Sequence, residues 1–443
     1  MSKPVLWMKT VLVVTALNVS MQAQADDLLH IFELAAQNDA QVREARERFE
    51  ANHTLLDQGR SQLLPSIQLQ GQTARNTNAP AEFYSYGAGF NSHGWGLNLN
   101  QNLVNMEAWH AFQSAKKSDM ANATNLAIAE QDLIVRIATA YFDVLRSQDN
   151  LEAFRAEEEA AQQVLQQTEQ RFEVGLNATV TDVFEGQTNY DLSRVQRLVE
   201  ENNLAQRIEA LELLTGQSHA MLESLDEEFP VEGAQPADLE AWESTASSNN
   251  LSVKAAEYNF AASQEDARSA RARYLPTLSV GANYSYNAES VNPFSFFPGQ
   301  ANERAAISLS LTIPLYQGGL TSARKRQAYH NRNATEELLL FTRRDAVQNI
   351  RNAYRSVQTD VVTVAARQQA IVSATSALEA VQVGAEVGTR NTVDVVLAQR
   401  TLYQALRDYA NARYNYVINT LNLKRSAGTL SPQDIVELNN WLR

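Results

Sequence analysis

The chain contains no cysteine. That absence excludes a disulfide framework, thiolate chemistry and a lipid-accepting thiol behind a leader segment. Histidine is scarce as well. The six residues, at positions 30, 53, 93, 110, 219 and 330, are scattered, with no pair at metal-ligand spacing. They read as surface or packing residues, and no metal site is expected. Neither a Gly-x-Ser-x-Gly elbow nor a phosphate-binding glycine loop occurs, so no catalytic residue or cofactor is assigned and an enzyme is not expected. Positive charge is in short supply too. With 37 Lys+Arg against 51 Asp+Glu, net −14, the protein repels nucleic acid and anionic lipid faces, and no nucleic-acid partner is expected. Past the first 25 residues no apolar run reaches the roughly 20 residues of a spanning helix, so any membrane contact must come from strands.

Glycine and proline are missing from two long stretches. Asn105 to Val174 is seventy residues without either, ending at Gly175; Leu320 to Val383 is sixty-four more, ending at Gly384 and Gly388. At 1.5 Å per residue an unbroken helix of seventy residues spans about 105 Å, whereas helices of globular domains average about three turns. Two matched rods are therefore expected, with the rest of the chain joining, capping or anchoring them.

Residues 1–25 read as a secretory signal peptide. Lys3 and Lys9 precede an apolar run centred on Val11 to Leu17, and Ala23-Gln24-Ala25 precedes Asp26. A membrane anchor fits less well, because the apolar run is short and Asn18 interrupts it. Cleavage removes two Lys and no acid, taking the net charge from −14 to −16.

What is present repeats. Shifted by 211, Asp27 to Pro65 meets Asp238 to Pro276 with eleven identities in thirty-nine positions, from Asp27/Asp238 to Pro65/Pro276. The offset then drifts slightly: Ala140-Tyr141 meets Ala353-Tyr354, Val174-Gly175 meets Val387-Gly388, Asp182-Val183 meets Asp394-Val395, and Gly216 meets Gly428. Such duplication marks a repeat architecture. Each half reads helix, strand, loop, strand, long helix, break, helix, over 26–215 and 236–427, with 216–235 between them and 428–443 closing the chain.

Four segments alternate with period two. Ile67, Leu69, Gly71 and Thr73 interleave with Ser66, Gln68, Gln70 and Gln72; Trp95, Leu97, Leu99, Gln101 and Leu103 with Gly and Asn; Leu278, Val280, Ala282, Tyr284 and Tyr286 with small or amide residues; and Ile307 to Leu315 with Ser, Thr and Pro314. Length and period match membrane β-barrel strands. A soluble sheet with one wet face is the alternative; the uncharged polar face, suited to a lumen wall, and the export signal argue for the membrane. Four strands cannot close a barrel, and open edges are not tolerated in lipid, so strands must be shared between copies: two give eight, three give twelve. The loops 76–92 and 288–302 carry Phe83, Tyr84, Tyr86, Phe90, Phe294, Phe296 and Phe297, suited to an interfacial girdle or to packing of the loops on themselves.

Along the first rod Leu126, Leu133, Ile137, Tyr141, Val144, Leu151 and Phe154 recur at spacings of 3, 4 or 7, a narrow seam of coiled-coil type. Small, polar flanks let such helices lie side by side in a wall without a thick core. A free-standing coiled coil would explain the rods but not the strands. Each rod ends at a glycine suited to terminating a helix, and a returning helix follows, Val180 to Thr215 and Asn391 to Ala427.

Together the leader, the Leu63-Leu64-Pro65 and Leu275-Pro276 lead-ins to strands, Ile313-Pro314-Leu315-Tyr316-Gln317-Gly318-Gly319, Val387-Gly388-Thr389-Arg390 and Asn411-Ala412-Arg413-Tyr414-Asn415-Tyr416 resemble the TolC family of outer-membrane efflux proteins over the whole mature chain. The resemblance implies a mainly α fold with membrane β. It implies a homotrimer with a twelve-stranded barrel in outer-membrane lipid, four strands from each copy. A long α-helical periplasmic barrel would continue it, and a mixed belt near 215–250 and 428–443 would surround the tunnel. It implies a passive exit duct that docks onto a periplasmic adaptor and an inner-membrane pump or ABC transporter, for efflux or type I secretion.

It also implies site residues. Asp394 would stand on a ring of carboxylates at the periplasmic mouth, with Arg390 and Asp182 in the ion pairs that hold it shut. Val174, Gly175, Leu176, Val387, Gly388 and Thr389 would form the adaptor-docking tips. Each acid also suits a helix N-terminus, and each glycine simple capping. Three departures from the family pattern stand out: Leu397 replaces a second Asp, Ala385 a gating Tyr, and one extra residue lies between Gly175 and Asp182. A soluble periplasmic coiled-coil scaffold or adaptor is the alternative function; it predicts release by osmotic shock without detergent.

Overall fold

The computed structural model describes residues 26–76, 90–175, 178–219, 221–290 and 301–443. The leader, the loop aromatics from Phe83 to Tyr86 and from Phe294 to Phe297, and Leu176 lie outside the described residues. In order the elements are α1 (Leu28–Asn38), α2 (Ala40–Ser61), β1 (Ser66–Asn76), β2 (Phe90–Val104), α3 (Met106–Glu173), α4 (Val180–Thr215), α5 (Leu239–Asn249), α6 (Leu251–Ala272), β3 (Thr277–Glu289), β4 (Ala301–Thr312), α7 (Leu320–Glu386), α8 (Thr392–Ala427) and α9 (Pro432–Asn439).

The duplication is visible down to single caps. Asp39 closes α1 and opens α2, its carboxylate accepting from the Val42 N–H; Asn250, 211 residues on, does the same between α5 and α6 with Val253. The two rods hold 68 and 67 residues, each about 100 Å long. The second runs past its expected stop. Gly384 stays helical, because its carbonyl still has takers: the Thr389 and Arg390 N–H groups donate to it at 2.8 and 3.0 Å. Similarly β4 begins earlier than the alternation indicates, at Ala301, and stops at Thr312 before Pro314, which has no N–H to give a ladder.

The strands form one antiparallel sheet in the order β1-β2-β3-β4. Its register stacks apolar residues in rows on one face, Ile67, Leu99, Ala282 and Ile307 in one row and Leu69, Leu97, Tyr284 and Ala305 in the next. Their exposure is high, 72% at Leu69 and 84% at Ile307. Amides take the other face, where the Asn283 side chain donates to Asn98 Oδ1 at 2.6 Å. Among the described residues β1 and β4 have no strand on their outer edges.

Helices lie side by side beneath the sheet, α2, α3, α6 and α7 near the strands and α4, α3, α8 and α7 farther away. One flank of the wall is thus α2 and α4, continuous with β1; the other is α7, continuous with β4. Midway along, the narrow seam expected of α3 broadens. Leu133, Ile134, Val135, Ile137, Ala138, Tyr141, Phe142, Val144 and Leu145 are all buried, so this stretch is surrounded on every side. The belt supplies part of the cover: α1 and α9 lie on α3 beside the strand-like bridges Asp26–Leu222 and Leu225–Leu442, while α5 packs on α7 and α8. Within it the Tyr141 hydroxyl donates to the Glu223 carbonyl at 2.6 Å, and burial pushes its phenol pKa well above the ordinary value.

Candidate functional site

The ends of the two helical hairpins, farthest from the strands, carry most of the residues singled out above. α3 closes through Val174 and then Gly175 at φ +73°; α7 closes through Val387 and then Gly388 at φ +77°. A left-handed residue costs little only when it lacks a Cβ, which is why both tips turn at glycine. Val174 and Val387 are exposed, and a Cβ added at Gly175 or Gly388 would meet nothing within 4 Å. The two tips therefore present matching, uncovered valine-glycine corners. Gly384 is the opposite case: an added Cβ would stand 2.8 Å from Arg390 Cγ, so the second tip folds its arginine stem onto that helical glycine.

Both acids begin by capping. Thr179 opens α4, its N–H and hydroxyl each donating to Asp182 Oδ2 at 2.7 Å while the Asp182 N–H returns to the hydroxyl. Asn391 opens α8 in the same manner, its side chain accepting from the Asp394 N–H at 2.8 Å and its N–H donating to Asp394 Oδ2 at 3.3 Å. These are reciprocal capping boxes. Asp394 also faces Arg390 of its own turn, Nη1 to Oδ2 3.8 Å, both partly exposed. Within one chain Arg390 and Asp182 are not brought together; the arginine turns to Asp394. Leu397 lies one turn further along α8 and is exposed.

Sequence reasoning passed over the polar seam between the two halves. Down the α3–α8 contact, Arg425 Nη1 meets Asp132 at 3.0 Å, Arg146 donates to Asn415 at 2.8 Å, the Tyr414 hydroxyl donates to Asp149 at 2.6 Å, and Arg407 meets Glu157 at 2.9 Å while lying 4.1 Å from the Phe154 ring centre. Burial raises the Asp149 pKa, against the lowering hydrogen bond from Tyr414. The signal was faint. Glu157 sits in an acid-rich run, Glu157-Glu158-Glu159, that reads as a solvated face, yet Glu157 alone of the three is buried. Histidines described as scattered also find carboxylates: His53 with Asp119, His110 with Glu265, and the buried His219 with Asp26, each at 2.8 Å.

The helical walls, the edge-open sheet and the paired tips recur in known proteins. The sequence matches the outer membrane efflux protein family over residues 31–217 and again over 242–429, once for each half. The chain belongs to the outer membrane efflux protein family. It is 34% identical to the outer membrane protein TolC of Vibrio cholerae over 95% of this chain and 94% of that one. It is 26% identical to the alkaline protease secretion protein AprF of Pseudomonas aeruginosa over 92% of this chain and 85% of that one. In fold it superposes on the outer membrane channel CmeC of Campylobacter jejuni with a TM-score of 0.76, at 17% identity, over 99% of this chain and 98% of that structure. The channel is accordingly an outer-membrane exit duct with a TolC-like fold, and the soluble periplasmic scaffold considered above is set aside. Its relatives are channels and not enzymes.

Proposed function

We propose that three copies of this chain close into one duct, twelve strands in the outer membrane above a helical tunnel, through which an inner-membrane pump or ABC transporter passes its cargo by way of a periplasmic adaptor. One observation carries the reading. The four-stranded sheet has an apolar exposed face and two unpaired edges, β1 and β4, and unpaired edges are not tolerated in hydrocarbon. Pairing β4 of each copy with β1 of the next satisfies both. The likeness to AprF supports a secretion route and the family match an efflux route.

At the periplasmic mouth, three Asp394 carboxylates converge on the axis, and Arg390 with Asp182 holds the entrance together across neighbouring hairpins. Val174, Gly175 and Leu176 with Val387, Gly388 and Thr389 form the adaptor's seat. The acids serve two ends at once, since the capping oxygen and the ring charge belong to the same side chain. Asp394→Asn separates them, keeping an acceptor for the cap while removing the charge.

The test begins with extraction. The channel should leave the membrane only with detergent and run as a trimer on unheated denaturing gels. Single channels in planar bilayers should prefer cations, lose that preference in Asp394→Asn, and conduct more in Arg390→Ala or Asp182→Asn. Monomers after mild extraction would end the trimer reading. Unchanged selectivity in Asp394→Asn would remove the carboxylate ring, and unchanged conductance in both other variants would remove the ion-pair gate.

A further inference from the structure

The internal duplication makes the chain a template for its own contact with a second copy. Inside one chain, α3 of the first half lies against α8 of the second. If copies are related as the halves are, α7 of one copy lies against α4 of the next, because α7 repeats α3 and α4 is repeated by α8. The offsets are fixed by matched features. Tyr141 and Tyr354, 213 residues apart, each donate a hydroxyl to a belt carbonyl at 2.6 Å, Glu223 and Ala237. Gly216 and Gly428, 212 apart, each end a helix at positive φ.

Carried across with those offsets, the four ties of the inner seam land on other residues. Asp132–Arg425 becomes Asp345 facing Leu213; Arg146–Asn415 becomes Thr359 facing Asn203; Asp149–Tyr414 becomes Val362 facing Asn202; Glu157–Arg407 becomes Ala370 facing Val195. An independent observation supports the placement. Leu213, Val362 and Val195 are apolar yet 82%, 69% and 55% exposed in the single chain, as residues awaiting a partner would be. Phe341, the counterpart of Ile128 one turn above Asp132, is 66% exposed.

Charge adds a specific pair. Arg355, counterpart of the buried Phe142, and Glu209, counterpart of the buried Leu421, are both exposed, and neither has an ion-pair partner within the described chain. Phe142 packs on Tyr414, and Leu421 stands two turns along α8 from Tyr414 towards the belt, within the reach of an arginine at the Phe142 position. Nearby Arg351 is occupied by Glu243 at 2.7 Å, and Arg207 reaches back to its own Asp143.

We propose that the seam between copies keeps none of the charged ties of the inner seam, covers the exposed apolar side chains Leu213, Val195, Val362 and Phe341 instead, and gains one ion pair, Arg355 to Glu209 of the next copy, in the register set by the duplication. This rests on the trimer reading and names its interface. Burial of these apolar side chains is non-directional and tolerant, whereas the inner seam adds directed charged ties to a buried core.

The absence of native cysteine makes the register directly testable. Val362→Cys with Asn202→Cys, treated with a short thiol-specific crosslinker, should give covalent trimers. Val362→Cys with Leu213→Cys, displaced by about three helical turns, should give none. Arg355→Glu and Glu209→Arg should each shorten the trimer half-life in warm detergent roughly tenfold, as facing like charges do at an interface, and the double exchange should restore it. Intact trimers that crosslink at the displaced pair, or at neither pair, would overturn the register. Intact trimers whose half-life ignores both charge reversals would overturn the ion pair. A parent protein that never forms trimers would instead overturn the proposed function on which this rests.

Discussion

Removing one partner of the Glu157–Arg407 pair should loosen the wall far from any tip. Side-chain exposure is 5% at Glu157 and 16% at Arg407, with 2.9 Å between them. Below this level, towards the tips, no polar tie joins α3 to α8 among the described residues. A crevice of about 320 Å³ lies there instead, between Gln163, Gln167 and Arg171 on one side and Gln382 and Gln399 on the other. The pair is thus the last polar fastening between the two hairpins among the described residues. Breaking a buried pair by deleting one partner costs roughly 3–5 kcal/mol, because the survivor is left charged and dry. Arg407 retains some water and its place over Phe154, so Glu157→Ala belongs at about 3 kcal/mol, the lower end of that range. Arg407→Ala should cost more, since it strands the better-buried carboxylate and abandons the ring as well.

Native-state hydrogen exchange is the suitable assay, because it reads local opening without requiring a reversible global transition. At about 1.4 kcal/mol per decade, the loss predicts amides of α3 near Glu157 exchanging roughly a hundredfold faster in Glu157→Ala. Amides beside Tyr141 should be unchanged. The paired replacement Glu157→Gln with Arg407→Met keeps the shape, removes both charges and should return near to the parent rate. Additive single effects, with a coupling below about 0.5 kcal/mol, would mean that the two residues do not act as a pair. A fourfold drop in the effect at high salt would likewise mean water reaches the pair freely.

Gly428→Ala and Gly388→Ala, both at positive φ, should separate cleanly in thermal unfolding. The dihedral alone costs on the order of 1–3 kcal/mol in either, but at 428 the new Cβ would lie 2.3 Å from the Asn249 carbonyl oxygen and at 388 it meets nothing; equal losses would refute the steric account. Replacing Gly175 or Gly388 with a bulky residue should weaken crosslinking to the adaptor while leaving trimers intact, and normal crosslinking would sink the docking assignment. Asp149 has its pKa raised mainly by burial, so its contribution to stability is fully present below the ordinary carboxylate pKa and is lost as pH rises through the raised value. Asp149→Asn keeps an acceptor for Tyr414 and removes the ionisation, so the parent should gain on the variant as pH falls through that window; a pH-independent difference in urea midpoint would count against it. Asp39 is the reverse case: burial would raise its pKa, but the Arg136 guanidinium, donating twice at 3.0 Å, and the Val42 N–H hold it low. Stability from this pair should be fully present above the ordinary carboxylate pKa and be lost progressively as pH falls from there through the lowered value, as urea midpoints of Arg136→Met, which lacks the pair, would show by converging with the parent across that window.

Rods, strands and duplication were legible because each is a periodic property. Period two over ten residues, or seventy residues without a helix breaker, outweighs any local exception. The belt was not legible as a core. Leu133 to Leu145 looks like a coiled-coil seam with extra apolar residues, and the return of α1 and α9 onto a helix already flanked by α4 and α8 explains the extras. Glu157 was illegible for the same reason: which of three adjacent glutamates turns inward depends on where Arg407, 250 residues away, happens to lie.

The two acids proposed for the entrance show a deeper limit. A helix beginning at Thr179 or Asn391 wants an acid three residues on, and so does a ring that binds cations, so the same letter satisfies both demands. The single-chain geometry records the first demand in full, with both capping boxes closed. What distinguishes the two positions is the neighbour. Asp394 has Arg390 four residues before it, whereas Asp182 has the uncharged Ala178 in the corresponding place. An arginine poised at 3.8 Å in a high-dielectric setting contributes little to holding its own helix, so stability gives it no strong reason to stay there. Its reach, from a backbone anchored on Gly384, makes Arg390 the one residue of the pair free to exchange an intrachain carboxylate for one on a neighbouring hairpin. On this argument Arg390→Ala should leave the melting of the isolated helices nearly unchanged while raising conductance, whereas Asn391→Ala, which breaks the α8 cap at a cost of about 1 kcal/mol, should do the reverse at equal charge.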